Sequence, residues 1–261
     1  MSVSPSELHR PCPILVINLA GSTVRWQKVS AALEAVGLTF ERHEASDGRL
    51  LSATEIAQLA PWNPAAFFKP LSPGEVGCCL SHVSVAERII REGWERTLVL
   101  EDDFLLADNF VARLKDLLAV PGPPADLIKI EGALRGGERV AETPGGQQLY
   151  RHRRPPSRTA AQLWSLEGAR KFLASAQPFL RPVDVHLKHW WEHDLEILYV
   201  RPSLVVDGDA TGVTSTIGAR PASGLGGALR RLRYKASFAF ASQWHYLRRY
   251  GLVSWCRQLL G

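Results

Sequence analysis

Thr97-Leu98-Val99-Leu100-Glu101-Asp102-Asp103 is the stretch on which the reading of the fold turns. Four residues that suit a buried strand run straight into three acids. Three carboxylates inside a core would be costly, so they must emerge at the strand end and meet donors or a cation. In α/β domains the carboxyl ends of the strands are where ligands sit. A carboxylate cluster there points to a hard divalent metal holding a phosphorylated substrate, with a solvated acidic loop as the alternative.

The segment directly upstream reads as a helix. Ser72-Pro73-Gly74-Glu75 places an N-cap, a proline at the first helical position and a reciprocal glutamate in order. Val76, Cys79, Leu80, Val83, Ala86 and Ile90 then form one apolar stripe, with Gly93 as the stop. Further out, residues 13–19 read as a buried strand, Ser22 as the cap of a helix closed by Gly37, and residues 39–43 as a second strand. The turn Ser46-Asp47-Gly48 follows, and Ser52-Ala53-Thr54-Glu55 opens a short helix that Pro61 ends. Downstream come a helix over 110–118 and a strand over 126–130. The polar, basic segment 132–158 fits a hairpin or a mobile loop. A strand over 159–164, a helix capped by Ser165 and a last strand over 195–200 complete the series. This alternation implies an α/β sandwich with a mainly parallel sheet.

A chain of 261 residues with 46% hydrophobic and 22% charged residues can bury a real core in one large domain or one and a half. Cys12, Cys78, Cys79 and Cys256 show no metal-ligand spacing; they read as reduced and structural, which fits a cytosolic compartment. No secretory leader and no bilayer-spanning run is visible in the sequence.

The net charge of +5 is local. Residues 222–261 contain no acid but carry Arg230, Arg231, Arg233, Lys235, Arg248, Arg249 and Arg257. Phe238, Phe240, Trp244, Tyr246, Tyr250 and Trp255 are interleaved among or follow them. That composition suits an interfacial helix on anionic lipid. The alternative is a basic helix packed on the domain with its charges solvated. Nucleic acid is not expected, because no nucleic-acid fold motif accompanies the charge.

Taken together, several motifs resemble one known family. They are Ile17-Asn18-Leu19 with Arg25, Ala45-Ser46-Asp47-Gly48, Gly74-Glu75-Val76-Gly77-Cys78-Cys79-Leu80-Ser81-His82 and Leu98-Val99-Leu100-Glu101-Asp102-Asp103. Arg181-Pro182-Val183-Asp184, Trp191-Glu192-His193 and Ser215-Thr216-Ile217-Gly218 extend the likeness over roughly residues 13–220. The resemblance is to glycosyltransferase family 25, bacterial lipopolysaccharide and lipooligosaccharide transferases with collagen galactosyltransferases among their relatives. It implies a GT-A-like (Rossmann-like) α/β/α sandwich over residues 1–220; the basic helical tail over 221–261 is read from its own composition. The resemblance also implies a UDP-sugar donor, commonly UDP-galactose, inversion at the anomeric carbon, and Mn²⁺ or Mg²⁺ as cofactor.

The residues then take expected roles. On a strand Glu101 and Asp103 share one face and Asp102 the other, so Glu101 and Asp103 are expected at the metal and Asp102 at the donor ribose or sugar. Asp103 is the stronger ligand, because Glu101 stands where many GT-A enzymes carry Asp. Asn18 and Asp47 are placed to hold the uridine, Arg25 to pair with diphosphate and His82 to approach the donor. Turn formation, a solvated helix face and a loop hydrogen bond are the respective structural alternatives for Asp47, Arg25 and His82. Asp184, Glu192 and Asp194 are candidates for the base, ranked with Asp184 first and Glu192 second; Asp184 could instead be an N-cap. Trp190 and Trp191 could stack on a sugar or belong to the core. The expected acceptor is a glycan or glycolipid of lipopolysaccharide type, met at the cytoplasmic face of the inner membrane. A non-catalytic membrane scaffold and a metal-dependent phosphohydrolase or nucleotidyltransferase are the competing classes.

Overall fold

A computed structural model of the chain describes residues 12–119, 125–132, 136–207 and 225–260. The expected Ser215–Gly218 motif lies outside the described residues. The first half runs β1 (Ile14–Asn18), α1 (Thr23–Ala35), β2 (Glu41–Glu44), α2 (Ala53–Leu59), α3 (Pro73–Glu92), β3 (Arg96–Leu100), β4 (Phe104–Leu106) and α4 (Phe110–Ala119). The second runs β5 (Leu127–Lys129), β6 (Glu138–Glu142), β7 (Gln148–Arg151), β8 (Ala161–Ser165), α5 (Leu166–Ala176), α6 (Val183–Lys188), β9 (Ile197–Arg201), β10 (Val205–Asp207) and α7 (Leu225–Leu260).

Eight strands form one sheet in the order β2-β1-β3-β8-β5-β9-β7-β6. β1 is parallel to β2 and β3, and β5 is parallel to β9. β8 runs antiparallel between β3 and β5, and β7 antiparallel between β9 and β6. Six of the eight strands therefore point one way, with β7 and β8 reversed. The mainly parallel α/β sheet is as expected; the reversal of β8 was not legible. A strand buried on both faces reads as a continuous apolar run, whatever direction its neighbours take. Residues 138–151 form the hairpin reading of the basic segment. β4 and β10 pair in a separate two-stranded ribbon that the sequence pattern did not indicate.

Side-chain alternation puts one buried cluster on each face of the sheet. Leu15, Ile17, Val99, Leu127, Trp164 and Ile197 face α3, α5 and α6. Ile14, Val16, Leu98, Leu100, Ile128 and Leu198 face α1 and α4. Helix–sheet–helix layering is the α/β/α sandwich. α3 is fixed at both ends: Ser72 and Glu75 exchange both capping-box hydrogen bonds, and Gly93 closes the helix in the left-handed region at φ 66°.

The tail is anchored by one side. Tyr246 is fully buried and its hydroxyl donates to Glu138, while Tyr250 and Trp255 pack against the α3/α5 cluster. Arg249 pairs with Asp194 at 2.8 Å. Gly251, at φ 80° and ψ 174°, breaks α7 into two segments. Leu229, Leu232, Phe240 and Trp244 remain exposed on the long segment. Among the described residues no helix is long and apolar enough to cross a membrane.

Candidate functional site

Two cavities meet at the carboxyl end of β3. The larger, of about 360 Å³, is lined by Asn18, Arg25, Asp47, His82, Glu101, Asp102 and Asp103 among others. Seven of the site residues expected from sequence thus surround one space, although they are spread over five elements and loops. The smaller, of about 180 Å³, is lined by Glu75, Arg158, Thr159 and Asp184, together with Cys78, Glu101 and Asp103. Cys78, Glu101 and Asp103 form the wall shared by both.

Close backbone contact places α3 in that wall. A Cβ on Gly48 would lie 1.7 Å from the Pro73 carbonyl oxygen, and one on Gly77 would lie 2.5 Å from that of Ser46. No side-chain carbon fits at either position, so the 46–48 turn and the first turns of α3 meet backbone to backbone. Ser81 reinforces the contact by accepting from the Ser46 amide at 2.9 Å. Asp47 is also a turn residue: its carboxylate accepts from the Arg49 backbone at 3.0 Å and from the Arg49 side chain at 2.6 and 2.8 Å.

The three acids have three environments. Asp102 accepts from Asn18 Nδ2 at 2.6 Å and from Arg25 Nη1 at 2.7 Å, so it ties the ends of β1 and β3 to α1. Arg25, expected to pair with diphosphate or to lie on a solvated helix face, lines the larger cavity and donates to Asp102, with its side chain 14% exposed. Arg42, which sequence reasoning did not single out, donates to Asn18 Oδ1 and completes this network. Glu101 Oε1 accepts from Thr159 Oγ1 at 2.5 Å and lies 3.1 Å from His82 Nε2. Burial pushes the Glu101 carboxyl up, but the hydrogen bonds from His82 and Thr159, with Lys129 nearby, hold it below its ordinary value. Glu101 is therefore ionised at neutral pH. Asp103 faces both cavities beside it.

Asp184 sits in the first turn of α6, two residues past the Pro182 N-cap position, so it is not the cap. Burial raises its pKa, against the opposing fields of Lys129 and Lys188. Glu192 is a correction: it lines neither cavity, and Arg181 holds its carboxylate through Nη1 at 2.6 Å and Nη2 at 3.2 Å. The helical turn after α6 carries it away from Asp184 despite their closeness in sequence. Asp194 is exposed and paired with Arg249. Trp190 is buried and Trp191 stacks on His245 of α7, so both belong to packing rather than to a sugar platform.

Cys78 was missed as a site residue. Its signal was present: it precedes His82 by four residues on a helix, which puts both side chains on one face. The sequence pattern places Arg158 at the end of a loop and Thr159 at the start of a strand; the structure brings both to the smaller cavity.

The chain matches the family described as "Glycosyltransferase family 25 (LPS biosynthesis protein)" over residues 12–187. The chain belongs to glycosyltransferase family 25. It is similar to "Probable inactive glycosyltransferase 25 family member 3" of Bos taurus, at 31% identity over 73% of this chain and 36% of that protein. "Glycosyltransferase 25 family member" of Anopheles gambiae is 33% identical over 67% of this chain and 31% of the relative. "Procollagen galactosyltransferase 1" of Danio rerio is 25% identical over 76% of this chain and 37% of the relative. The chain thus spans about a third of the length of these curated relatives. Among solved structures, a glycosyltransferase involved in glycosylation of the major capsid of PBCV-1 matches with a TM-score of 0.38 at 13% identity, covering 87% of this chain and 100% of that one.

Proposed function

We propose that this family 25 member is a metal-dependent transferase that moves a hexose, galactose first among candidates, from a UDP-sugar to a lipopolysaccharide-type glycan with inversion. The observation that carries the reading is the wall of Glu101 and Asp103 between two cavities, one sized for a nucleotide and one holding Asp184. The nucleotide diphosphate belongs in the larger space and the acceptor hydroxyl in the smaller. Oxygen donors on Glu101, kept ionised, and on Asp103 fit Mn²⁺ or Mg²⁺, which when bound would stabilise charge on the departing diphosphate.

The chain's own residues supply the rest. Asp184 takes the proton of the acceptor hydroxyl as its oxygen bonds to the anomeric carbon, while the bond from that carbon to the diphosphate oxygen breaks. A pKa raised by burial makes its carboxylate a stronger base than a solvated aspartate. His82 and Thr159 hold the Glu101 carboxylate in place, and Asp102 with Arg25 and Asn18 fixes the strand end.

For the tail we propose an anionic membrane surface at the cytoplasmic face of the inner membrane. The support is the exposed Leu229, Leu232, Phe240 and Trp244 beside Arg230, Arg233 and Arg248 in a segment without acids. The test of the enzyme reading is UDP release from UDP-galactose with an acceptor glycan. Release should require Mn²⁺ and be abolished by Asp103→Ala; inorganic phosphate appearing in place of UDP would overturn it. The similarity to relatives named inactive favours a second reading, a member that binds nucleotide sugar without turnover. Binding by calorimetry with no UDP release would select it.

A further inference from the structure

Cys78, His82 and Glu101 present one sulfur, one ring nitrogen and one carboxylate oxygen that all lie within 4.8 Å of one another. Cys78 and His82 project from one face of α3 at a spacing of four residues, and Glu101 meets them from the end of β3. We propose that these three side chains form a binding site for a thiophilic divalent ion of the Zn²⁺ class.

Three features support it. The donor set mixes soft, intermediate and hard atoms, which suits Zn²⁺ or Co²⁺ and is poor for Mg²⁺ or Mn²⁺, ions that favour oxygen alone. Ligand bonds of about 2.0–2.3 Å in a tetrahedron put ligand atoms roughly 3.5 Å apart, so small side-chain rotations close the set. The His82–Glu101 pair, at 3.1 Å, is already at that spacing. The site is also accessible: Cys78 and Glu101 line both cavities, so the trio borders open space.

The remaining surroundings stiffen the set. His82 is 3% exposed on a well-capped helix, and Thr159 donates to the same Glu101 oxygen. Since Glu101 also belongs to the carboxylate pair proposed for Mn²⁺ or Mg²⁺, an ion on the Cys78 trio withdraws it from Asp103. The site itself stands whether or not the chain transfers sugar.

Cobalt titration of the full chain under reducing, oxygen-free conditions tests it, because a cobalt–thiolate bond gives a near-ultraviolet charge-transfer band. The band should saturate at one Co²⁺ per chain, be displaced by one equivalent of Zn²⁺ and persist in excess Mg²⁺. It should vanish in Cys78→Ser and survive in Cys256→Ser, whose thiol is exposed elsewhere. Absence of the band, or its survival in Cys78→Ser, overturns the proposal. If Cys78→Ser fails to fold, Zn²⁺ affinity of folded His82→Asn and Glu101→Gln decides by chelator competition. A loss of about 100-fold supports the site, and unchanged affinity sinks it. None of these measurements reads sugar transfer, so their failure leaves the transferase reading standing, and the converse holds.

Discussion

Gly48 and Gly77 face each other so closely that a Cβ on Gly77 would lie 2.6 Å from the Gly48 amide nitrogen. This contact sets the distance between the Asp47 turn and the helix that carries Cys78 and His82. Gly77→Ala should therefore destabilise the fold by about 3 kcal/mol, because neither backbone can yield without moving a secondary-structure element. Urea denaturation would measure it; a loss within error would mean the two elements are not rigidly packed.

Asp102 is a positioning residue between Arg25 and Asn18. Asp102→Ala removes the carboxylate to which Arg25 and Asn18 both donate, and loss of charge-assisted hydrogen bonds of this kind costs about 1–3 kcal/mol. Thermal melting should show the drop. Arg25 and Asp102 removed together should cost less than the two single losses added, since both single variants remove the same contact.

Asp184→Asn should lower kcat/KM about 10²–10⁴-fold, while Glu192→Gln should leave turnover unchanged and cost under about 1 kcal/mol of stability. The pH profile follows from the raised pKa of Asp184. A base works when deprotonated, so activity should hold above that raised value and fall as pH drops through it. Its acid limb should lie above the ordinary aspartate range and disappear in Asp184→Asn.

Stability should also fall on acidification. Burial lowers the pKa of His152 and of His189 from 6.5 to about 4. Between those values the unfolded chain binds protons that the folded one refuses, so unfolding is favoured progressively as pH falls from about 6.5 to about 4. Melting temperature against pH checks this, and His152→Gln should flatten the slope.

Much of the architecture was legible because local chemistry agreed with tertiary need. The Ser72–Glu75 capping box, the Gly93 stop and the Val76–Val83 stripe all describe the helix that the structure contains. So was the wall of acids, since three carboxylates can only leave a core at a strand end. Strand direction was not legible, as β8 demonstrates. Nor were the partners of Arg25 and Glu192, since each pairs with a residue whose position depends on turns that spacing does not reveal. Cys78 was not legible because its neighbour in the site is a histidine one helical turn on rather than another cysteine.

The two sides of α7 should respond differently. Tyr246→Ala removes a fully buried ring and should cost about 3–5 kcal/mol. Phe240→Ser with Trp244→Ser touches exposed positions, so the melting temperature should hold while sedimentation with anionic vesicles declines. Equal vesicle binding by this double variant would remove the membrane role of that face.

The most direct probe is calorimetric titration of UDP into the full chain, with Mn²⁺ and then with chelator. We expect one UDP per chain with the ion present, and a loss of about tenfold or more in affinity without it or in Asp103→Ala. Identical UDP affinity in all three conditions would contradict an ion shared between the β3 carboxylates and the diphosphate.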